Sequence, residues 1–163
     1  MSIDVRPQKA LLTGVFVDAT LEEILTVAKT HKLSAVQLHG GQNKAFCLSI
    51  KQSGLQVIKV FHPADEGYAA AAGFEGHADL LLFDNGPVGT GGSGQQFDWK
   101  SLEEYHGSLP FLLSGGIGPD DYEKINAINH PAFAGIDLNS RFEIQPGYKN
   151  ITLLETFLKN LRR

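Results

Sequence analysis

Apolar residues gather in six short runs along the chain, and most runs are continuous rather than alternating. They are Leu11–Val17, Ser34–Gly40, Gln56–Phe61, Ala78–Asp84, Pro110–Gly116 and Phe133–Ser140. Continuous runs of this length predict strands covered on both faces, as in a parallel sheet. The segments between them carry helical spacing. Ala19–His31 places Leu21, Ile24, Leu25 and Ala28 on one face, with Thr20 and Glu23 spaced as a capping box. Asn43–Gly54 predicts a shorter helix that stops at its glycine. Gly118–Ile128 opens on Pro119 and two acids, a favourable helix start. Asn150–Arg163 sets Leu153, Leu154, Phe157, Leu158 and Leu161 on one stripe and ends in basic residues. The links around residues 69–73 and 100–106 predict short helices at most.

Strand and helix in regular alternation predict an α/β protein with a parallel sheet. Two architectures compete, an open doubly wound sheet and part of a (β/α)₈ barrel. The first strand–helix turn has no G-x-G-x-x-G fingerprint, which argues against the dinucleotide-binding version of the open sheet. Polar groups instead finish one strand after another: Gln37 and His39, then Asp84, then Ser114, Gly115 and Gly116, then Asp137, Asn139 and Ser140. A barrel gathers such ends around one mouth, whereas an open sheet spreads them along an edge. The barrel is the favoured expectation.

Composition narrows the function. A length of 163 residues fits one domain over 1–163, with residues 1–10 as an atypical leading segment. The formal charge of −4 leaves no basic footprint for nucleic acid and no polybasic membrane patch. The single cysteine, Cys47, excludes an internal disulfide and a cysteine-based zinc cluster. With no visible signal peptide and no apolar run long enough to cross a bilayer, the expectation is a soluble, cytoplasmic protein. His31, His62, His77, His106 and His130 show no metal-ligand spacing, and Cys47 lies on a helical apolar stripe and reads as packing.

Three places carry candidate chemistry. Ser114–Asp121 and Gly135–Glu143 follow the last two strands, where barrels commonly hold a phosphate on backbone N–H groups. Gly115 and Gly116 let the backbone approach an anion closely, although a tight turn alone would also use them. Asp84 ends a strand and precedes a loop with glycines at 86, 89, 91, 92 and 94. Partial burial there would suit a proton donor, while a solvated strand-end carboxylate is the plain alternative. Gln37 and His39 share a strand face, and either could hydrogen-bond a ligand, while His39 also reads as a satisfied structural histidine.

Taken together, Q-L-H-G, then D followed by G-G-x-G-x-x-F-D-W, then S-G-G, then G-I-D-L-N-S-R-F-E resemble phosphoribosylanthranilate isomerase, a (β/α)₈ barrel family of tryptophan biosynthesis. The resemblance runs from about Thr13 to the C-terminus. It implies an Amadori rearrangement of N-(5'-phosphoribosyl)anthranilate to the carboxyphenylamino-deoxyribulose phosphate, with no metal and no cofactor. It implies Asp84 as the general acid that protonates the ribose ring oxygen. It further implies Gly91, Gly92, Ser93 and Gly94 as a loop close to the ligand. Ser114, Gly115, Gly116, Asp137, Asn139 and Ser140 match the phosphate end, and Gln37 and His39 the pocket wall.

The departures are equally specific. The family's general base is a cysteine on its first strand, and Cys47 does not match it. This chain aligns from the family's third strand onward, so six of eight βα units are expected and the TIM-type barrel is incomplete. Gly41 and Gln42 stand where the family carries acids, and Gln95 where it carries a basic residue. Six units leave open edges at the first and last strands. The expectation is that these are covered by the "SIDVRP" segment, by a second copy, or by a partner supplying the missing units; a truncated product of a longer enzyme is a further reading. Two functions follow: an isomerase acting on a phosphosugar, or a non-catalytic phosphosugar-binding relative. The F-D-W and S-R-F-E segments argue against another phosphate-binding barrel enzyme.

Overall fold

A computed structural model describes residues 10–84 and 98–161. Six parallel strands form one sheet in sequence order: β1 (Thr13–Phe16), β2 (Ala35–Leu38), β3 (Gln56–Phe61), β4 (Leu80–Phe83), β5 (Phe111–Leu113) and β6 (Phe133–Ile136). Parallel neighbours need crossover connections, and helices supply most of them. These are α1 (Leu21–His31), α2 (Lys44–Gln52), the short pair α3 (Pro63–Glu66) and α4 (Tyr68–Ala72), a 3₁₀ turn over Trp99–Glu104, and α5 (Tyr122–Asn126). A 3₁₀ turn at Ser140–Phe142 and a small hairpin, β7 (Glu143–Gln145) with β8 (Tyr148–Lys149), lead into α6 (Ile151–Leu161).

Local chemistry accounts for the best-defined elements. Thr20 and Glu23 form the expected capping box, with the Glu23 N–H donating to Thr20 Oγ1 at 3.3 Å and the Thr20 N–H donating to Glu23 Oε2 at 2.8 Å. Asn43 caps α2 by accepting from the Phe46 N–H at 2.9 Å. Helix α5 is shorter than the Gly118–Ile128 segment expected. The Asp121 carboxylate accepts the Gly118 N–H at 2.8 Å and folds 118–121 into a turn, so the helix begins after the acids rather than at Pro119. Strand β6 stops at Ile136, and the hairpin of β7 and β8 is a further element that the apolar pattern did not signal.

The two faces of the sheet are buried very differently. Under the helices, Val36, Leu38, Val57, Leu81, Phe83, Phe111 and Leu113 are fully buried. Phe83, Tyr105 and Phe111 pack as a ring cluster, with centroids 5.0–5.6 Å apart. On the opposite face, the register aligns Val15 with Gln37, Gln37 with Ile58, Val60 with Leu82 and Leu82 with Leu112. Val60 and Leu82 in the middle of that face are 1% exposed, yet Val15 at the edge is 60% exposed.

The sheet is nevertheless curved. Val15 of the first strand and Asp137, just past the last, line the same cavity although β1 and β6 are not paired. This is a barrel wall of six strands with a gap between its edges, as the incomplete TIM-type expectation requires. Leu82→Ala should cost about 2–5 kcal/mol. Val15→Ala on the same face should cost less than about 0.5 kcal/mol. Denaturant midpoints check the contrast, and a large loss at Val15 would mean that this edge is covered in solution.

Candidate functional site

The strand ends position the site through one repeated interaction. The residue after a strand keeps its N–H on the carbonyl of the last residue of the preceding strand. His39 donates to Phe16 O at 2.8 Å, Asp84 to Phe61 O at 3.0 Å, Ser114 to Phe83 O at 2.8 Å and Asp137 to Leu113 O at 2.8 Å. Each polar residue is thus held as the last rung of a ladder and faces one cavity of about 220 Å³. The cavity brings together Gln37, His39, Asp84, Ser114, Gly115 and Gly116 with Asp137, Asn139 and Ser140. Gly91, Gly92, Ser93 and Gly94 lie outside the described residues.

Asp84 is 5% exposed and His39 is 9% exposed. His39 Nε2 lies 3.8 Å from Asp84 Oδ2 and has no hydrogen-bond partner among the described residues. The Gln37 amide nitrogen lies 3.4 Å from His39 Nδ1. With that amide donating, the imidazole proton sits on Nε2 and points towards the carboxylate. Burial pushes the His39 pKa down; Asp84 opposes the shift, His62 and Lys59 add to it, and Asp137 opposes it further. His39 is therefore a neutral imidazole at pH 7, a donor beside an acid.

The loop after β2 is braced from beneath. Lys59 is 4% exposed, and its ammonium donates to Gly40 O at 3.0 Å and Val60 O at 2.6 Å. The Gly40 N–H donates to Gln42 Oε1 at 3.0 Å, and Gln42 Nε2 donates to Val17 O. A Cβ on Gly40 would lie 2.1 Å from Val17 O, so only glycine fits this crossing of β1 and the His39 loop. Gln42 thus performs a neutral tie, consistent with the absence of an acid there.

The two turns at the far end of the cavity have different chemistry. Gly115 (φ 87°) and Gly116 (φ 67°) are consecutive left-handed residues, a conformation that favours glycine and lets the backbone approach a ligand. Ser114 Oγ donates to Asp137 Oδ2 at 3.0 Å, so the two polar groups satisfy one another across β5 and β6. Lys149, delivered by the hairpin, donates to Asn139 Oδ1 at 2.6 Å and to Glu143 Oε1 at 2.7 Å. Because an ammonium only donates, the Asn139 oxygen is fixed towards it, and the amide NH₂ remains a donor.

Four lining residues were not singled out from the sequence: Val15, Leu82, Ile117 and Arg141. Val15 and Leu82 follow from strand alternation once the register is known, whereas Ile117 lies in the turn after β5. Arg141 had a signal in its place within D-L-N-S-R-F-E. A groove of about 640 Å³ lies elsewhere, between the Trp99–Glu104 turn and α5. Its His130 is engaged on both ring nitrogens, with Tyr105 O at 2.8 Å and the Ala132 N–H at 3.1 Å, and strand-end chemistry is absent from its lining. Cys47 is fully buried and its thiol is pushed up to about 11 by burial. Among the described residues, no cluster of three His, Cys, Asp or Glu suits a metal ion, and no helix is long and apolar enough to cross a membrane.

Comparison with known proteins follows the same geometry. The family described as N-(5'phosphoribosyl)anthranilate (PRA) isomerase matches residues 2–160. The isomerase of that name from Parabacteroides distasonis is 46% identical over 149 residues, covering 91% of this chain and 67% of the relative. The one from Phocaeicola vulgatus is 42% identical over 158 residues, covering 96% of this chain and 77% of the relative. The crystal structure of phosphoribosyl anthranilate isomerase from Thermotoga maritima superposes with a TM-score of 0.79 at 29% identity, over 96% of this chain and 75% of that one.

The neutral, buried state of His39 has a consequence for stability. Between its lowered folded pKa and the ordinary value near 6.5, the unfolded chain binds a proton that the native chain does not. Stability therefore rises with pH across that window and is lost as pH falls below about 6.5. Urea midpoints from pH 7.5 down to 5 should fall for the wild type and fall less for His39→Asn. Parallel curves would show that His39 is not held neutral.

Proposed function

The chain belongs to the N-(5'-phosphoribosyl)anthranilate isomerase family, and on that premise we propose that Asp84 is the general acid of its reaction. The family's reaction is the Amadori rearrangement of N-(5'-phosphoribosyl)anthranilate in tryptophan biosynthesis. One observation carries the assignment: a 5% exposed carboxylate, an imidazole nitrogen 3.8 Å away with no hydrogen-bond partner among the described residues, and two turns suited to a phosphate share a single cavity.

The chemistry runs through named groups. Asp84 gives its proton to the ribose ring oxygen as the C1–O bond breaks, and the anthranilate nitrogen lone pair forms the C=N bond of a Schiff base. His39 Nε2–H stabilises the carboxylate that remains, an interaction that strengthens as the proton leaves. Loss of the C2 proton gives an enolamine, which tautomerises to the ketose. Gly115, Gly116, Asn139 and Ser140 hold the phosphate, and Gln37 sets the His39 tautomer.

The C2 step needs a base. The sole cysteine of the sequence, Cys47, does not supply it: its thiol is buried within α2, beneath the helix-facing side of the sheet. The same gap is structural, because β1 and β6 are edges and Val15 is exposed. Coverage of these edges, by residues 1–9, by a second copy or by another polypeptide that brings further strand–helix units, is part of the proposal. Without a positioned base the chain alone should turn over about 10²–10⁴-fold more slowly than a complete site.

A fluorescence assay following loss of phosphoribosylanthranilate tests the assignment. A measurable rate abolished in Asp84→Asn is the expected outcome; a rate that survives the substitution removes Asp84 as the acid. Background rates in both proteins would favour phosphosugar binding without catalysis. Size-exclusion chromatography with light scattering addresses the edges: a stable monomer with a protected β1 in hydrogen exchange would remove the second copy and the separate partner, leaving the chain's own leading residues.

A further inference from the structure

We infer that Arg141 is the residue that selects a phosphate dianion at this cavity, by supplying the positive charge between its two far turns. The inference rests on the phosphosugar reading above. The lining among the described residues holds two carboxylates, Asp84 and Asp137, and Arg141 as its one permanently charged cation. His39 does not contribute charge, because burial holds it neutral. With Asp84 holding the proton it donates, the Asp137 carboxylate alone would, without a cation, repel a ligand with two negative charges at close range.

The geometry gives Arg141 this place. Phe142, its neighbour, is fully buried against Phe157 of α6, with ring centroids 4.9 Å apart, which fixes the turn that carries it. From there the arginine side chain reaches across to the other turn. A Cβ at Gly118 would meet Arg141 Cδ at 3.4 Å and Nη1 at 3.7 Å, with Asp121 Oδ2 at 3.5 Å. The guanidinium thus lies over Gly118, between the 114–118 and 139–141 turns and beside the Asp121 carboxylate. Its planar fork can pair with two oxygens of one phosphate at once.

The neighbouring donors are arranged to complete such a site. Lys149 holds the Asn139 oxygen, which leaves the amide NH₂ for an acceptor-only ligand. Ser114, in contrast, gives its proton to Asp137 and is not a donor to phosphate in this arrangement. The phosphate end is therefore read from Arg141, Asn139 and the glycine amides, and Ser114 serves to cap Asp137.

Titration calorimetry with ribose 5-phosphate and with ribose tests this on the full chain. The wild type should prefer ribose 5-phosphate. Arg141→Met should weaken ribose 5-phosphate by about 10–100-fold and leave ribose unchanged. Arg141→Lys, which keeps the charge but not the fork, should fall between them. Arg141 is exposed, so the variants should remain folded, which thermal melting checks. An Arg141→Met protein that holds ribose 5-phosphate as well as the wild type, an equal loss for both sugars, or a wild type without preference would each overturn the inference. Arginine-dependent binding together with an inactive isomerase assay would leave it standing while removing the catalytic reading.

Discussion

Four backbone hydrogen bonds of one kind carry the site. In each, the first residue beyond a parallel strand donates to the last carbonyl of the strand before it, and the four donors are His39, Asp84, Ser114 and Asp137. A slip of one residue in any strand would move its polar residue to the helix-covered face, where the core is fully buried. Register is set instead by that core. Phe83 stands beside Phe61 and Leu113 in the ladder, and these apolar side chains fit only beneath the helices. The chemistry of the mouth is therefore a by-product of packing on the opposite face.

The electrostatics of the cavity follow from what each group can exchange. His39 loses charge on burial and keeps a proton on the nitrogen nearest Asp84. Asp137 keeps its charge quiet through the Ser114 hydroxyl. At the other end, Lys149 spends its ammonium on Asn139 and Glu143, and Glu143 is held below its ordinary pKa by that contact. The lining is thus graded along the cavity, from the His39–Asp84 pair near β2 and β4 to the glycine turn, Asn139 and Arg141 near β5 and β6. A sugar phosphate has the same gradation, with its ring oxygen and its phosphate at opposite ends.

Much of this was legible in the sequence, for identifiable reasons. Continuous apolar runs found all six strands, and polar residues at their ends named most of the cavity wall. Thr20 and Glu23 announced the start of α1 because their signal is local. Helix α5 was misjudged because the Asp121 side chain prefers the Gly118 N–H, a competition that residue preferences at Pro119 do not reveal. The hairpin was overlooked although Pro146 and Gly147 mark its turn, since two strands of three and two residues are too short for a periodic signal. The pairing of His39 with Asp84 needed the register itself, and Arg141 needed the placement of the Ser140–Phe142 turn over the cavity. An exposed arginine in a loop is ordinary, and the two members of the pair come from strands that do not touch each other in sequence order.

The open edge and the chemistry are one problem rather than two. Val15 lies on the same face of the sheet as Val60 and Leu82, but it is 60% exposed where they are 1% exposed. It also lines the cavity beside Gln37 and Asp84, so the water that wets it has access to the acid. Water raises the local dielectric and weakens electrostatic interactions made by His39 and Arg141. Any polypeptide that pairs with β1 would therefore dry the cavity, bury Val15 and Val17, and bring a side chain within reach of the ligand in a single step. Coverage by apolar contact alone would leave the C2 proton without an acceptor, and a base without coverage would work in water. On the proposed reaction, an element that both covered β1 and carried a base would meet the two needs together.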